Sequence, residues 1–489
     1  MPNLFYLGMQ MRINATYMLP AWIAGRYNKE ERLAIIFNNL AGETYLFEDD
    51  TADLMALLLE QKYCQAFSTI ALAERLGCSE EDLNPFLNEL VEQRILLKEI
   101  PDPGEIAALR NKVVEAKMAF LTASAGTERL QSVFELVDTE YRDRIEKHGI
   151  PSSVSIELTY GCNEMCIHCY NPNSSREKCA VKKVASDELV TEDYYSVLDQ
   201  LADMGVPKVL FTGGDPFVKK DFIKILQYAH RKKFAVDIYT NGQSLYNNPG
   251  LYEQVVACFP HTIGLSLYSV DPAVHESVTR VKGSCEKTKA IADRLCSDGV
   301  GMTIKCPIMR LNKESYKAVY DFAISHNAVP EFEVNITSSI DGDEYAVNNL
   351  RLTEEDFRTV LADPMIPLST EGSRAERIMD RSPEMQFCGA GVDSFNIKPD
   401  GTVSPCIAFG MGCGNVKNAP LALIWKESKE LCHVRSLRYK DSDRCGRESY
   451  CRYCNRCIGQ SYTEKGIPEN YSTDNCFIAK IRESLVKEK

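Results

Sequence analysis

The sequence predicts an α/β protein whose centre is a parallel sheet or barrel of six strands, with a winged-helix-like unit before it and a cysteine-rich segment after it. Three observations carry this. Strand and helix patterns alternate from about residue 151 to 350, the first hundred residues read as strands followed by three short helices, and nine of the 19 cysteines fall between Cys388 and Cys476. At 489 residues the chain is long enough for several hydrophobic cores. Its 44% hydrophobic and 26% charged residues are those of an ordinary folded protein.

In chain order, LAIIF and GETYLFE read as strands joined by a turn at Asn38, Asn39 and Gly42. DTADLMALLLEQ, FSTIALAERLG and SEEDLNPFLNELVEQRIL then read as helices, the second ending on Gly77 and the third capped by Ser79. We assign 1–103 to this unit and 104–148, where charges alternate in sign and apolar positions are sparse, to a helical connector. From 149 to 350 the candidate strands SVSIELT, PKVLFTG, FAVDIYT, TIGLSLY, MTIKCPI and EFEVNIT are separated by patterns of helical length. Strands so spaced call for right-handed crossovers, which place chemistry at the C-terminal strand ends. The unusual residues fall there: three cysteines after the first strand, Gly213-Gly214-Asp215 after the second and Thr240-Asn241-Gly242 after the third. Residues 351–385 form a bridge, and from 386 to 489 regular patterning fades, which suggests a segment that takes its fold from bound metal.

Charge and compartment narrow the function. With 56 basic against 69 acidic residues, the net charge of −13 repels phosphate backbones, so no nucleic-acid partner is expected. No apolar run approaches the roughly 18–20 residues of a membrane helix and no signal-peptide core is evident, so a cytoplasmic protein without a membrane partner is expected. In a reducing compartment, clustered cysteines point to metal or catalysis before disulfides. The scattered ones, including Cys64, Cys78, Cys179, Cys258, Cys285, Cys296 and Cys306, read as small buried hydrophobes.

Cys162-x₃-Cys166-x₂-Cys169 sits in one tight loop. Three thiolates there suit three irons of a [4Fe–4S] cluster and leave the fourth open, whereas zinc would ask for a nearby fourth ligand that His168 is badly spaced to supply. The loop resembles that of the radical S-adenosylmethionine (SAM) superfamily. That resemblance implies a partial (β/α)₆ barrel, with SAM chelating the open iron. Gly213-Gly214-Asp215-Pro216 is similar to the family's Gly-Gly-Glu-Pro stretch, with Asp215 in place of Glu, and implies a hold on the SAM amino group. Ser266 resembles a ribose contact, Arg280 a carboxylate contact, and Asn241 a polar group facing the cofactor.

The C-terminal cysteines resemble the SPASM extension of these enzymes, which implies two auxiliary [4Fe–4S] clusters. Cys388, Cys406 and Cys457 are assigned to the first, with Cys413 or Cys432 competing for a remaining position that could also stay open. Cys445, Cys451, Cys454 and Cys476 are assigned to the second. The intervals Cys445-x₅-Cys451-x₂-Cys454-x₂-Cys457 depart from the family's usual x₂, x₅, x₃ order, and a pair of structural zinc sites would use the same residues. GETYLFEDDTADLMALLLEQ resembles part of a peptide-recognition element that captures the leader of a precursor peptide as an added strand.

Together the resemblances imply a radical SAM peptide maturase. SAM would be cleaved reductively to a 5′-deoxyadenosyl radical, with electrons from a donor such as flavodoxin or ferredoxin. The radical would remove a substrate hydrogen, leading to an oxidative side-chain crosslink: thioether, ether or carbon–carbon. Formylglycine generation, epimerisation with Cys306 or Cys285 as hydrogen donor, and a non-enzymatic zinc protein are the alternatives. Asp341, Asp343, Glu344 and Tyr268 are open candidates for a general base.

Overall fold

The computed structural model describes residues 17–110, 112, 137, 139–172, 187–363, 383–442, 444–454, 456–470 and 473–488. Cys179, much of the expected connector and much of the expected bridge lie outside them. Among the described residues the N-terminal unit holds five short strands: β1 (Tyr17–Met18), β2 (Ile23–Asn28), β3 (Leu33–Asn38), β4 (Glu43–Glu48) and β5 (Ala66–Phe67). β2, β3 and β4 form an antiparallel sheet in that order, and β1 pairs with β5. The expected turn is there: Gly42, at a φ of +65°, donates its N–H to the Asn38 carbonyl at 2.7 Å. Ser79 accepts from the Asp82 N–H at 3.2 Å and Gly77 ends its helix left-handed, as their residue types require.

β3 reads as an unbroken apolar run because both of its faces are buried. Ala34 and Ile36 face the helices with Leu54, Met55, Leu58 and Leu87, whereas Leu33, Ile35 and Phe37 pack with Tyr141, Ile145 and Ala235. Tyr141 and Ile145 come from the charged stretch expected to be a connector, so its few apolar residues are the ones that dock it.

The core sheet holds β6 (Ser153–Glu157), β7 (Lys208–Thr212), β8 (Ala235–Thr240), β9 (Thr262–Ser266), β10 (Met302–Pro307) and β11 (Val329–Glu333), all parallel and in sequential order. Helices such as Thr191–Asp203, Phe222–Arg231 and Ser284–Ser297 return the chain between them. This is the expected six-stranded α/β core. Two further strands enlarge it: β12 (Ser394–Ile397) runs parallel to β6, and β13 (Val403–Ser404) pairs with β12 antiparallel. Both come from the segment expected to lack regular structure, which also forms the helices Leu421–Glu427, Lys429–Ser436, Ile458–Lys465 and Thr473–Lys487. One apolar core runs from Val154 through Phe395, Ile397 and Leu421 to Ile481, so barrel packing as well as metal can order this segment.

The N-terminal unit docks at the lower rim, where strands begin. Gly25 N–H donates to the Lys233 carbonyl at 2.9 Å, Asn39 to the Phe259 carbonyl at 2.9 Å, and Phe37 meets His261 edge-on at 5.6 Å. Phe37→Ala, removing a fully buried ring between the two units, should cost about 3–5 kcal/mol. The expected readout is an earlier first transition in urea, and an unchanged transition would mean that Phe37 does not couple them.

Candidate active site

The pairing of β6 with β7 does not stop where the strands do. Leu158 donates to the Thr212 carbonyl (2.9 Å), Gly214 to that of Thr159 (2.7 Å) and Asp215 to that of Gly161 (2.9 Å), so the start of the cysteine loop is laced to the sheet. That crossing demands glycine. A Cβ on Gly213, at φ +131°, would lie 2.3 Å from the Thr159 oxygen, and one on Gly214 would lie 2.0 Å from the Gly161 oxygen. The far side of the loop is held by Met165 and Ile167, whose N–H groups donate to Thr279 and Val278 at 3.0 Å each.

Around the loop, at the C-terminal ends of β6 to β11, lies a cavity of about 290 Å³. Cys162, Cys166, Cys169, Gly213, Gly214, Asn241 and Ser266 all line it. Asn241 places its amide 3.7 Å from the Cys162 sulfur and 2.6 Å from the Asn163 side-chain oxygen. Asp215 and Arg280 stand outside this lining. Asp215 is fully buried behind it, one oxygen accepting from Phe217 N–H (3.0 Å), the other from the Thr240 hydroxyl (2.6 Å) and Asn241 N–H (3.0 Å). Arg280 is an exposed, left-handed cap on the helix Pro272–Thr279. Of the base candidates, Tyr268 lines the cavity, its hydroxyl 3.5 Å from the Cys166 sulfur.

Burial, and after it the Asp215 charge, pushes the Cys162 thiol well above its ordinary pKa. Burial and then the charges of Glu164 and Cys162 do the same to Cys166. Glu164, which sequence reasoning passed over although it lies inside the loop, is also buried in the lining, with Oε1 lacking any partner. Sulfur donors and a carboxylate crowded together with so little positive charge fit a group that brings it, as irons ligated by thiolates would.

The C-terminal cysteines separate into two neighbourhoods. Burial, then Cys457 and Cys388, raises the Cys406 thiol; burial, then Cys445 and Cys451, raises that of Cys476. Cys454 donates its N–H to the Cys451 carbonyl at 3.1 Å. Cys413 has Glu430, Lys398 and Ser428 as polar neighbours, and Cys432 is exposed, with its thiol on the Lys426 carbonyl at 3.5 Å. Arg456, unremarked in the sequence, is buried with its guanidinium 2.8 Å from the Cys445 sulfur and on the carbonyls of Pro468, Glu469 and Asn470. Glu333 lines the main cavity; burial above all raises the Cys457 thiol, the Gln460 and Gly459 N–H groups oppose this, and the Glu333 charge adds to it.

Residues 156–323 match the model of the Radical SAM superfamily, and 388–458 match that of the SPASM iron–sulfur cluster-binding domain. The chain carries a radical SAM domain and a SPASM domain. It is an enzyme of the radical SAM type, and this pair of domains implies a [4Fe–4S] cluster with SAM and auxiliary clusters beyond it. Among its relatives, the AdoMet-dependent heme synthase of Nitratidesulfovibrio vulgaris is 25% identical over 356 residues, covering 67% of this chain and 93% of that one. The PqqA peptide cyclase of Xanthomonas campestris pv. campestris is 26% identical over 299 residues, 58% of this chain and 76% of that one. Streptococcus suis SuiB bound to its precursor peptide SuiA shares the fold with a TM-score of 0.51 at 18% identity, over 94% of this chain and 99% of that one. The anSMEcpe structure with bound AdoMet shares it with a TM-score of 0.52 at 16% identity, over 69% and 98%.

Gly214→Ala in the radical SAM domain should force backbone against backbone at the crossing. Anaerobic reconstitution is expected to yield about four irons fewer per chain than the parent, one cluster's worth, without loss of helical circular dichroism. Full iron content would show that the crossing does not hold the loop.

Proposed function

We propose that this enzyme modifies a ribosomally made precursor peptide, removing a side-chain hydrogen and leading to an oxidative thioether, ether or carbon–carbon crosslink. The observation that carries the proposal is the cavity lined by the Cys162/Cys166/Cys169 loop and by Glu333 at the end of β11, whose charge is one of those acting on Cys457. When bound at the loop, the cluster and SAM supply a 5′-deoxyadenosyl radical. The chain's own part is to seat the substrate in this cavity, so that hydrogen is removed beside the cysteine loop and the electron then leaves toward the C-terminal cysteines. We assign Cys388, Cys406 and Cys457 to the first auxiliary cluster, with its fourth position open because Cys413 and Cys432 have other partners. Cys445, Cys451, Cys454 and Cys476 hold the other, and the electron donor is a small protein such as flavodoxin or ferredoxin.

A peptide substrate is favoured by the N-terminal unit. Among the described residues no strand pairs with the outer edge of β4, which leaves an edge for an extended leader to join. A peptide cyclase and a precursor-bound enzyme among the similar proteins agree with it. Epimerisation gains nothing from the thiols named for it. Cys306 is buried, donating to the Tyr268 carbonyl at 3.7 Å, and Cys285 is buried, donating to that of Ser269 at 3.6 Å. Neither lines the cavity. A sulfatase-maturing reaction would give the N-terminal unit no task.

The deciding experiment is the mass of a candidate precursor after anaerobic incubation with enzyme, SAM and reductant in D₂O. A loss of two hydrogens is expected, and exchange of one hydrogen for one deuterium with no other change would replace crosslinking by epimerisation. Cys162→Ala should reduce 5′-deoxyadenosine to background; persistent formation would remove the loop from SAM cleavage. The geometry adds a length rule. The N-terminal unit sits at the strands' beginnings and the cavity at their ends, and strands of five and six residues span about 17–20 Å. Precursors with fewer than about five residues between leader segment and target should therefore bind without being modified. Undiminished modification of such precursors would place the leader elsewhere.

A further inference from the structure

We infer that Glu164, and not Asp215, accepts the amino group of bound SAM. This rests on the Cys162/Cys166/Cys169 loop and its cavity being the SAM site. An amino group that chelates iron through its lone pair keeps N–H bonds, and in a buried site these require acceptors.

Asp215 is unsuited to that task. Its carboxylate lies behind the lining and carries three donors, from Phe217, Thr240 and Asn241. Turning toward SAM would release the Asn241 backbone, and with it the amide that now meets Cys162 and Asn163. Aspartate is one methylene shorter than the family's glutamate, which suits it to this local bracing of β7 against β8. The Gly213 carbonyl beside it already accepts from Asn171 at 3.0 Å.

Glu164 has the opposite character. It lies in the loop between two of the cysteines, is 6% exposed and lines the cavity. Its Oε1 has no partner, and its Oε2 accepts only a weak bond from the Cys166 thiol at 3.5 Å. That bond disappears when the sulfur ligates iron, because a thiolate carries no proton. The loaded loop would then hold a buried carboxyl group in the cavity lining with its oxygens unsatisfied, a costly state unless a partner arrives. Lys305, the lysine of the lining, is paired with Glu331. SAM is a cation with an amino group, and its chelating end must lie against this loop. No covalent bond forms or breaks in this contact.

Wild type, Glu164→Gln and Asp215→Asn would be reconstituted anaerobically and normalised by iron and sulfide. Binding of SAM, and of a SAM analogue lacking the amino group, would be measured by equilibrium dialysis and by the change in the EPR spectrum of the reduced cluster. Glu164→Gln is expected to weaken SAM about tenfold or more, the effect of replacing one of two buried acceptor oxygens by a donor, and to weaken the analogue much less. Asp215→Asn, which disturbs the bracing of Asn241, should weaken SAM and the analogue to the same degree, whatever the size of the loss. Wild-type SAM affinity in Glu164→Gln, or equal weakening of SAM and analogue by that substitution, would overturn the assignment. If Glu164→Gln fails to hold iron, Asp215→Asn decides: equal effects on SAM and analogue support Glu164, and a tenfold loss of SAM with the analogue spared returns the role to Asp215. A wild type that takes up no cluster would instead defeat the site itself.

Discussion

The backbone crossing at Gly213 and Gly214 is the constraint on which the site depends. Three successive amide bonds, Leu158 to Thr212, Gly214 to Thr159 and Asp215 to Gly161, carry the β6–β7 ladder beyond the sheet and into the cysteine loop. Each contributes about 1 kcal/mol net, so their value lies less in energy than in position. They place the loop over the end of β7 to within a hydrogen-bond length, and the missing Cβ atoms are what permit the approach. From the same crossing Asp215 reaches Thr240 and Asn241 at the end of β8, and Asn241 returns to Cys162. A closed circuit of backbone and short polar side chains thus aims the cysteines into the cavity.

The polarity of the parallel sheet separates tasks along the molecule. All six strands of the core run the same way, so every loop with chemistry opens on one rim while the N-terminal unit occupies the other. The cysteine-rich segment is attached to the first strand through β12, and a buried polar contact sets that join: Asn396 donates to the Glu157 carboxylate at 2.8 Å. Burial pushes Glu157 up to about 7, with Asn396 and Lys398 opposing the shift. An acid in that position tolerates little displacement of β12, because a polar group left unpaired in a dry interior is expensive. The same register pairs Asn396 with Ser404 of β13, which runs antiparallel to β12.

Legibility followed how local the cause of each element is. The core strands and the caps at Gly77 and Ser79 were readable because periodicity and cap chemistry act over a few residues. β12 and β13 were not: SFNI and VS are too short for a period, and they are strands only because β6 offers an edge. β2 escaped for a related reason, since IAGRYN has glycine and arginine where an apolar face was sought. Arg26 is in fact useful there, its guanidinium lying on the Phe234 ring at 4.1 Å and donating to the Lys232 carbonyl at 2.7 Å.

By itself the sequence determined the cofactor chemistry. Thiol spacing in one loop, glycines at the next strand end and a second cysteine array are covalent facts that survive any uncertainty in packing. Only the tertiary structure decided which polar side chains face the cavity. Asp215 turns to its own sheet, Arg280 to solvent, and Glu164 into the cavity lining. The physical reason is that a motif states which residues are near in the chain, whereas the direction of a carboxylate depends on which donors from other strands reach it first.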